Sequence, residues 1–411
     1  MKKEKFKPLS PSIKTVSQGN LCSGCGACEL IAGPSIEIRN TADGFIRPTQ
    51  LGELSSDQEG LIARCCPGLV QVSCGGAGAQ HPLWGNVASL WTGHSTDDDL
   101  RFQASSGGGL SAALFFLLGS GKVDGVVQVR ASETLPYANA ISISTSIEEI
   151  AEAAGSRYAP SAPLAGLRSL MGSGKRYAFV GKPCDVAALR ALTGLEPALE
   201  NSFPYLISFF CAGVPSTKGA EEVIRKMGAA PEQVTEFRYR GNGWPGRAVA
   251  TLADGTTRSM TYHDSWGGIL SKHVQHRCKI CADGTGDAAD IVFADAWEAD
   301  ERGYPLFEER DGRSLILVRT PKGQTILEGA VRESHIAVEP FDIAELEKIQ
   351  PGQTGRRRAL LARLLALRLL GKPTPQYQGF SILAAARTGS FAWSARNFLG
   401  MVRRILLGRA P

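Results

Sequence analysis

The chain has 411 residues, long enough for two or three domains with substantial cores, and its composition is that of an ordinary soluble α/β protein with 47 glycines for tight loops. Ten cysteines at the spacings described below suit free thiolates in a reducing compartment better than a disulfide scaffold. The net charge of +5 divides unevenly: residues 355–411 hold ten Arg, one Lys and no acid, a charge of +11, which leaves −6 on the rest.

Residues 1–20 are basic without an apolar h-region, so no signal peptide is expected. No run of 18 or more uncharged apolar residues occurs, so no membrane span is expected either. These features predict a cytoplasmic protein. Residues 1–80 read as a small module with little regular structure beyond short strands such as 35–39. Within it, Cys22-Ser23-Gly24-Cys25-Gly26-Ala27-Cys28 puts three thiolates on one tight loop. This C-x2-C-x2-C spacing is that of a bacterial ferredoxin cluster run, whereas a zinc ribbon would use C-x2-C twice across a long gap. Ala32 stands where the usual fourth cysteine would fall, so that ligand must come from elsewhere. Cys66, in Cys65-Cys66-Pro67-Gly68, restores the terminal Cys-Pro pair and is the first candidate, ahead of Cys65 and then Cys74.

A new domain is expected from residues 82–85, with a weak strand over 87–93. Ala104-Ser105-Ser106-Gly107-Gly108-Gly109 then opens a helix over 110–118, whose N-terminal amides favour an anion; a plain Gly-rich turn is the competing reading. Strands are predicted over 123–129, 177–180, 205–210, 234–240, 247–252 and 290–294, and helices over 146–154 and 185–192. Cys184 and Cys211 each follow the carboxyl end of a strand, where open α/β sheets place their ligands. With Cys278-Lys279-Ile280-Cys281 they make four cysteines beyond the first run. Spacing alone leaves open an iron–sulfur cluster, a zinc site or unrelated core cysteines. His273 and His276 read as a polar helix face, and neither a dinucleotide GxGxxG nor a P-loop is present.

Six stretches in order resemble the coenzyme F-420 hydrogenase/dehydrogenase beta-subunit family, a flavin and iron–sulfur group that includes 8-vinyl reductase and 7-hydroxymethyl chlorophyll reductase relatives. They are ASSGG from Ala104, GSRY from Gly155, VGKPC ending at Cys184, FCAGVPS from Phe210, FRYRGNGWPG from Phe237, and RCKICADGTGDAADIVFADAW from Arg277. The resemblance implies an α/β (mixed α+β) fold with a flavin-binding region over 81–165 and a domain with an inner cluster over 166–345; the cysteine run sets a ferredoxin-like 4Fe-4S module over 1–80 before them, and a basic helical tail over 346–411, outside the matching stretches, follows. It implies two 4Fe-4S clusters, one on Cys22, Cys25, Cys28 and Cys66 and one on Cys184, Cys211, Cys278 and Cys281. It implies an FAD against Ser105, Ser106, Gly107, Gly108, Gly155, Ser156 and Tyr158, with Lys182, Arg240, Trp244 and Arg247 at flavin or substrate; the competing readings are an ordinary helix-terminating loop at 155–158 and a Trp244 that only covers the sheet. Lys182 replaces the family's usual Thr; it either sets a cation beside the inner cluster, raising its potential, or points to solvent. Ala294 replaces a usual Gly. The pigment-reductase members are expected to carry CSDCGLC where this chain has CSGCGAC, which counts against a pigment substrate.

The implied activity is an oxidoreductase passing electrons between ferredoxin, or a similar donor, and a small organic substrate. The alternatives are a deazaflavin-using beta subunit of a larger complex and a non-catalytic interaction module in polysaccharide biosynthesis. In the tail, helices are predicted over 356–370 and 392–407. Such basic amphipathic helices suit anionic lipid at the inner face of the membrane, or a protein partner, better than nucleic acid. The competing reading packs them on the protein's own core with solvated arginines.

Overall fold

The computed structural model describes residues 9–75, 79–298, 306 and 308–408; positions 1–8 of the basic N-terminus lie outside them. Eight strands form the central sheet: β1 (Ser89–Ser95), β2 (Gly125–Ala131), β3 (Asn139–Ser144), β4 (Tyr177–Gly181), β5 (Tyr205–Phe209), β6 (Ile291–Asp295), β7 (Ser314–Val318) and β8 (Ile336–Pro340). Their order across the sheet is β8-β1-β7-β6-β5-β4-β2-β3. The four strands from β6 to β2 run parallel, in registers such as Ile207 with Ile291 and Leu206 with Phe179. Every pairing outside these four is antiparallel.

The sequence explains this division. Every residue of β4 and β7 is buried, because helices or other chain cover both faces, so these strands read as continuous apolar runs. The edge strand β3 alternates instead and leaves Ile141 and Ile143 exposed. Helix Gly109–Gly119 (GLSAALFFLLG) is apolar all round, the mark of a helix buried on every side. It lies against the sheet and under helix Pro321–Arg332, where Gly329 makes room for the Phe116 ring, which any Cβ at that position would overlap. Burying Leu114, Phe116 and Leu117 in this way contributes about 2 kcal/mol each.

A second, three-stranded antiparallel sheet (Val234–Arg238, Arg247–Leu252, Thr257–Thr261) carries its own core with helix Thr217–Lys226. The N-terminal region holds more helix than its sequence suggested: Pro11–Gln18, Ala27–Ala32 and Ser56–Cys65, besides a hairpin of Ile36–Asn40 and Ile46–Gln50. The third helix has a reciprocal cap, Ser55 Oγ accepting from Gln58 N at 3.2 Å and Gln58 Oε1 from Ser55 N at 3.0 Å. The region is clasped to the body. Leu164 N donates to Cys25 O at 3.0 Å, and the buried Arg277 guanidinium reaches Pro67 O and Gln71 Oε1, both at 2.7 Å.

The tail is a helix Pro351–Leu369, begun five residues earlier than expected by a proline at its first position, then Ile382–Arg387 and Phe391–Leu406. Between them Gln376–Gln378 pairs in parallel with Val70–Val72 of the N-terminal region. The first tail helix buries Leu360, Leu364 and Leu367, and also Arg357, which donates to Ala282 O, Pro82 O and Phe380 O. Its arginines are therefore not uniformly solvated, contrary to the core-packing expectation.

Candidate functional site

The carboxyl ends of the parallel strands β4, β5 and β6 open onto a cavity of about 420 Å³, within the range of cofactor sites. The Ser/Gly loop enters it from below. Gly107 and Gly108 both take positive φ, 74° and 73°, which turns the chain so that helix Gly109–Gly119 starts at the cavity. No side chain caps that helix, and Gly109 N is held by Ser314 Oγ at 3.2 Å. Ser105, Ser106 and Gly108 line the space, whereas Gly107 turns behind it, where a Cβ would sit 2.7 Å from Gly312 O. Gly107→Ala is accordingly expected to cost about 2–3 kcal/mol in urea unfolding, from left-handed strain and the clash together. Gly172→Ala, with φ 72° but open space around it, is expected to cost only about 1 kcal/mol.

Across from this loop, Gly155, Ser156 and Tyr158 line the cavity, with Ser156 N donating to Ser105 Oγ at 2.5 Å. Arg157 fixes their course by donating to four acceptors, among them Pro136 O and Ala138 O at 2.7 Å and Phe237 O at 2.9 Å. An aromatic wall completes this side. Tyr158 lies 4.8 Å from Trp266 between ring centres, and Tyr262 5.8 Å from Trp297. Tyr262 and Trp266 were not singled out in the sequence, where only Trp297, closing the last motif, marked this wall.

Arg240 and Trp244 stand away from the ligand space. Both are buried behind the cavity and do not line it. Arg240 grips Asp295 through two bonds, Nη1 to Oδ2 at 2.8 Å and Nη2 to Oδ1 at 2.6 Å, and lies over the Trp297 and Tyr262 rings. Burial opposes its charge, and the Asp295 carboxylate more than restores it. Trp244 stacks on Trp297 at 5.0 Å and donates to Asp295 Oδ1 at 2.8 Å. Both residues therefore hold Asp295 and Trp297, which do line the cavity. Arg247 is exposed and bonds Ser259.

The cysteines gather in two groups. In one, Cys22, Cys25, Cys28 and Cys66 lie close enough to raise one another's thiol pKa; burial first, then Cys22, pushes Cys66 up to about 11. Cys65 is buried beside Cys66, whereas Cys74 stands apart, its amide bonded to Asp287 Oδ2 at 2.9 Å. In the other group, Cys184, Cys211, Cys278 and Cys281 meet at the floor of the cavity, which Cys211 lines. Burial and then Cys278 raise Cys211 to about 12. Backbone amides point at these sulfurs: Gly24 N to Cys22 at 3.3 Å, Gly213 N to Cys211 and Val214 N to Cys278, both at 3.4 Å. Among the described residues no three Cys, His, Asp or Glu close around a point as the ligands of one ion do. Cluster ligands stand further apart, because several irons lie between them, so the four-thiol donor sets and their N–H···S bonds fit such a group.

Lys182 does not point to solvent. It is buried, 2.7 Å from Asp185 and 2.8 Å from Ser161 Oγ, so its charge at the cavity floor is balanced by a neighbouring carboxylate. Nor do the two histidines form a polar face. His273 bonds Glu222 at 2.8 Å, while His276 is buried, and burial followed by Lys279 lowers its pKa to about 4. The tail supplies a wall that sequence reasoning missed: Gln350, Pro351, Gln353 and Arg356 line the cavity, and Arg356 Nη2 donates to Cys211 O at 3.0 Å.

Residues 90–168 match the N-terminal region of the coenzyme F420 hydrogenase/dehydrogenase beta-subunit family, and residues 174–344 match the C terminus of the same beta-subunit family. The chain is 25% identical over 303 residues to the beta subunit of the coenzyme F420 hydrogenase of Methanococcus voltae, which spans 71% of this chain and 99% of the relative. It is 24% identical over 348 residues to a subunit of the F(420)H(2) dehydrogenase of Methanosarcina mazei, 82% of this chain and 90% of that one. A coenzyme F420-dependent sulfite reductase of Methanocaldococcus jannaschii is 23% identical over 353 residues, covering 82% of this chain but 50% of its own length. Among solved structures, a chain of the F420-reducing NiFe hydrogenase complex from Methanosarcina barkeri has the same fold, with a TM-score of 0.51 and 20% identity over 69% of this chain and 96% of that one.

Proposed function

The chain belongs to the coenzyme F420 hydrogenase/dehydrogenase beta-subunit family, and on that premise we propose that it is the flavin and iron–sulfur subunit of an oxidoreductase assembly. The observation that carries this reading is the cavity itself, where the Ser/Gly loop, the aromatic wall and the Cys184–Cys211–Cys278–Cys281 group converge. An FAD bound there supplies exchange between electron pairs and single electrons, which the clusters carry.

The chain's own residues divide the remaining work. The amides that follow Gly109 at the start of helix Gly109–Gly119, with Ser105 and Ser106, receive phosphate or ribityl oxygens. Tyr158, Tyr262, Trp266 and Trp297 exclude water and hold a planar ring, and Arg240 fixes two of these aromatics from behind. Cys184, Cys211, Cys278 and Cys281 hold a cluster at the cavity floor, with Lys182 and Asp185 beside it as a neutral pair. Cys22, Cys25, Cys28 and Cys66 hold a second cluster, the port for a one-electron partner such as ferredoxin or a neighbouring protein of the assembly. The names of the relatives favour a deazaflavin as the organic substrate.

Iron, sulfide and flavin analysis of anaerobically purified protein tests this reading. About eight irons and one FAD per chain are expected. Stoichiometric bleaching of the flavin by reduced deazaflavin would identify the pair-electron partner, and bleaching by reduced ferredoxin the one-electron partner. Protein that holds zinc and no flavin would defeat the proposal.

A further inference from the structure

Among the described residues 17 large apolar side chains are exposed, and eight of them fall after residue 364. Leu369, Phe391, Leu399 and Leu406 are 74, 88, 64 and 73% exposed. Patches of this kind mark interaction surfaces, and single exposed apolar residues elsewhere do not. The last helix shows how the patch is built. Asn397 and Met401 face the protein, Asn397 Oδ1 receiving Arg363 at 2.8 Å. At 100° per residue Leu399 and Leu406 project from the opposite side, with Arg396 and Arg403 beside them, both exposed. A solvent-facing surface would carry polar residues at those leucine positions.

The charges select the occupant. Residues 355–411 hold eleven cations and no acid; Arg356, Arg357 and Arg363 are bonded to the body, while Arg368, Arg387, Arg396 and Arg403 are exposed. Apart from Arg358 with Glu347, none of them forms an ion pair among the described residues. A symmetric contact between two copies would set arginine against arginine, because an isologous interface pairs a patch with itself. An anionic bilayer complements both components at once, leucine and phenylalanine entering the acyl boundary and arginine meeting headgroup phosphate. Among the described residues no helix is long and apolar enough to cross a membrane, so such contact is superficial.

We propose that the outer face of helix Phe391–Leu406, with the exposed carboxyl end of helix Pro351–Leu369, docks on an anionic lipid surface. Flotation of the full chain with vesicles tests this. The protein should float with phosphatidylcholine vesicles containing phosphatidylglycerol, fail to float with phosphatidylcholine alone, and dissociate as salt rises. The paired variants Arg396→Glu/Arg403→Glu and Leu399→Ser/Leu406→Ser should each weaken binding by roughly tenfold or more. Ile141→Ser, on the exposed edge strand, should change nothing. All five sites are exposed, so circular dichroism should report unaltered folding. Failure of the wild type to float with anionic vesicles at low salt overturns the proposal. So does equal flotation with both lipids, or binding indifferent to both variant pairs. A dimer in gel filtration that the same variants dissociate, without vesicle binding, assigns the face to a second copy instead.

Discussion

Replacing Asp295 by alanine is expected to destabilise the protein by about 3–5 kcal/mol, the largest effect of any single side chain at the cavity. Arg240 is 1% exposed, and a guanidinium cannot shed its proton to escape burial. Asp295 supplies the counter-charge through two bonds and also receives Trp244 Nε1. Without it a buried cation and a buried indole N–H both lose their acceptor, and only Pro245 O, 2.6 Å from Arg240 Nε, remains. Urea unfolding measures the loss. Asp295→Asn, which keeps one acceptor oxygen, should cost less. Exchange of both partners, Arg240→Met with Asp295→Leu, should cost less than the sum of the two single changes, since it leaves no unpaired charge. A cost for Asp295→Ala below about 1 kcal/mol would show that water reaches the guanidinium.

The second large effect concerns metal content. Cys211→Ser is expected to halve the iron of the anaerobically purified protein, from about eight to about four atoms, leaving the first cysteine group filled. Cys66→Ser should halve it as well, by emptying the other group. Cys74→Ser should leave iron unchanged, because that residue sits beside Asp287 and away from the other cysteines. Cys65→Ser provides the discriminating case. Cys65 packs beside Cys66, so retention of about eight irons in Cys65→Ser with loss in Cys66→Ser identifies the fourth ligand; the reverse result transfers that role. Cys211→Ser has a second consequence, since the residue lines the cavity: retention of flavin should fall with it.

Much of this arrangement was legible in the sequence, for reasons that can be stated. The parallel strands appeared as short apolar runs because both of their faces are covered. Their cysteines then fell at carboxyl ends by topology. The glycine loop was readable because positive φ leaves few alternatives to glycine at 107 and 108. The helices of the N-terminal region were missed because they are short and depend on caps such as Ser55 with Gln58, not on apolar periodicity. Arg240 and Trp244 looked like ligand contacts because charge and aromaticity in a glycine-rich motif suggest them. Whether such residues touch the cavity or brace its wall is decided by a layer of tertiary packing that no local pattern records. His276 was misplaced for the same reason: its helix, His276–Lys279, is too short to have a polar face. The aromatic wall needed Trp266 to come from a π-turned segment, His263–Ile269, which Tyr262 immediately precedes and whose geometry has no sequence signature.

One boundary suggested by similarity is not a boundary in the molecule. The family match ends at residue 344, yet Gln350, Gln353 and Arg356 form part of the cavity wall, and Arg357 is bolted to carbonyls from three separate segments. A chain trimmed to residues 90–344 would keep Cys184, Cys211, Cys278 and Cys281 but would lose the first cysteine group and leave the chamber with one side missing. Conversely, the tail cannot be transplanted onto a relative as an independent attachment device, because its first helix presents Leu360, Leu364 and Leu367 to a surface this body has shaped to receive them. In engineering terms the last 60 or so residues are a wall of the house, and modularity stops where they begin.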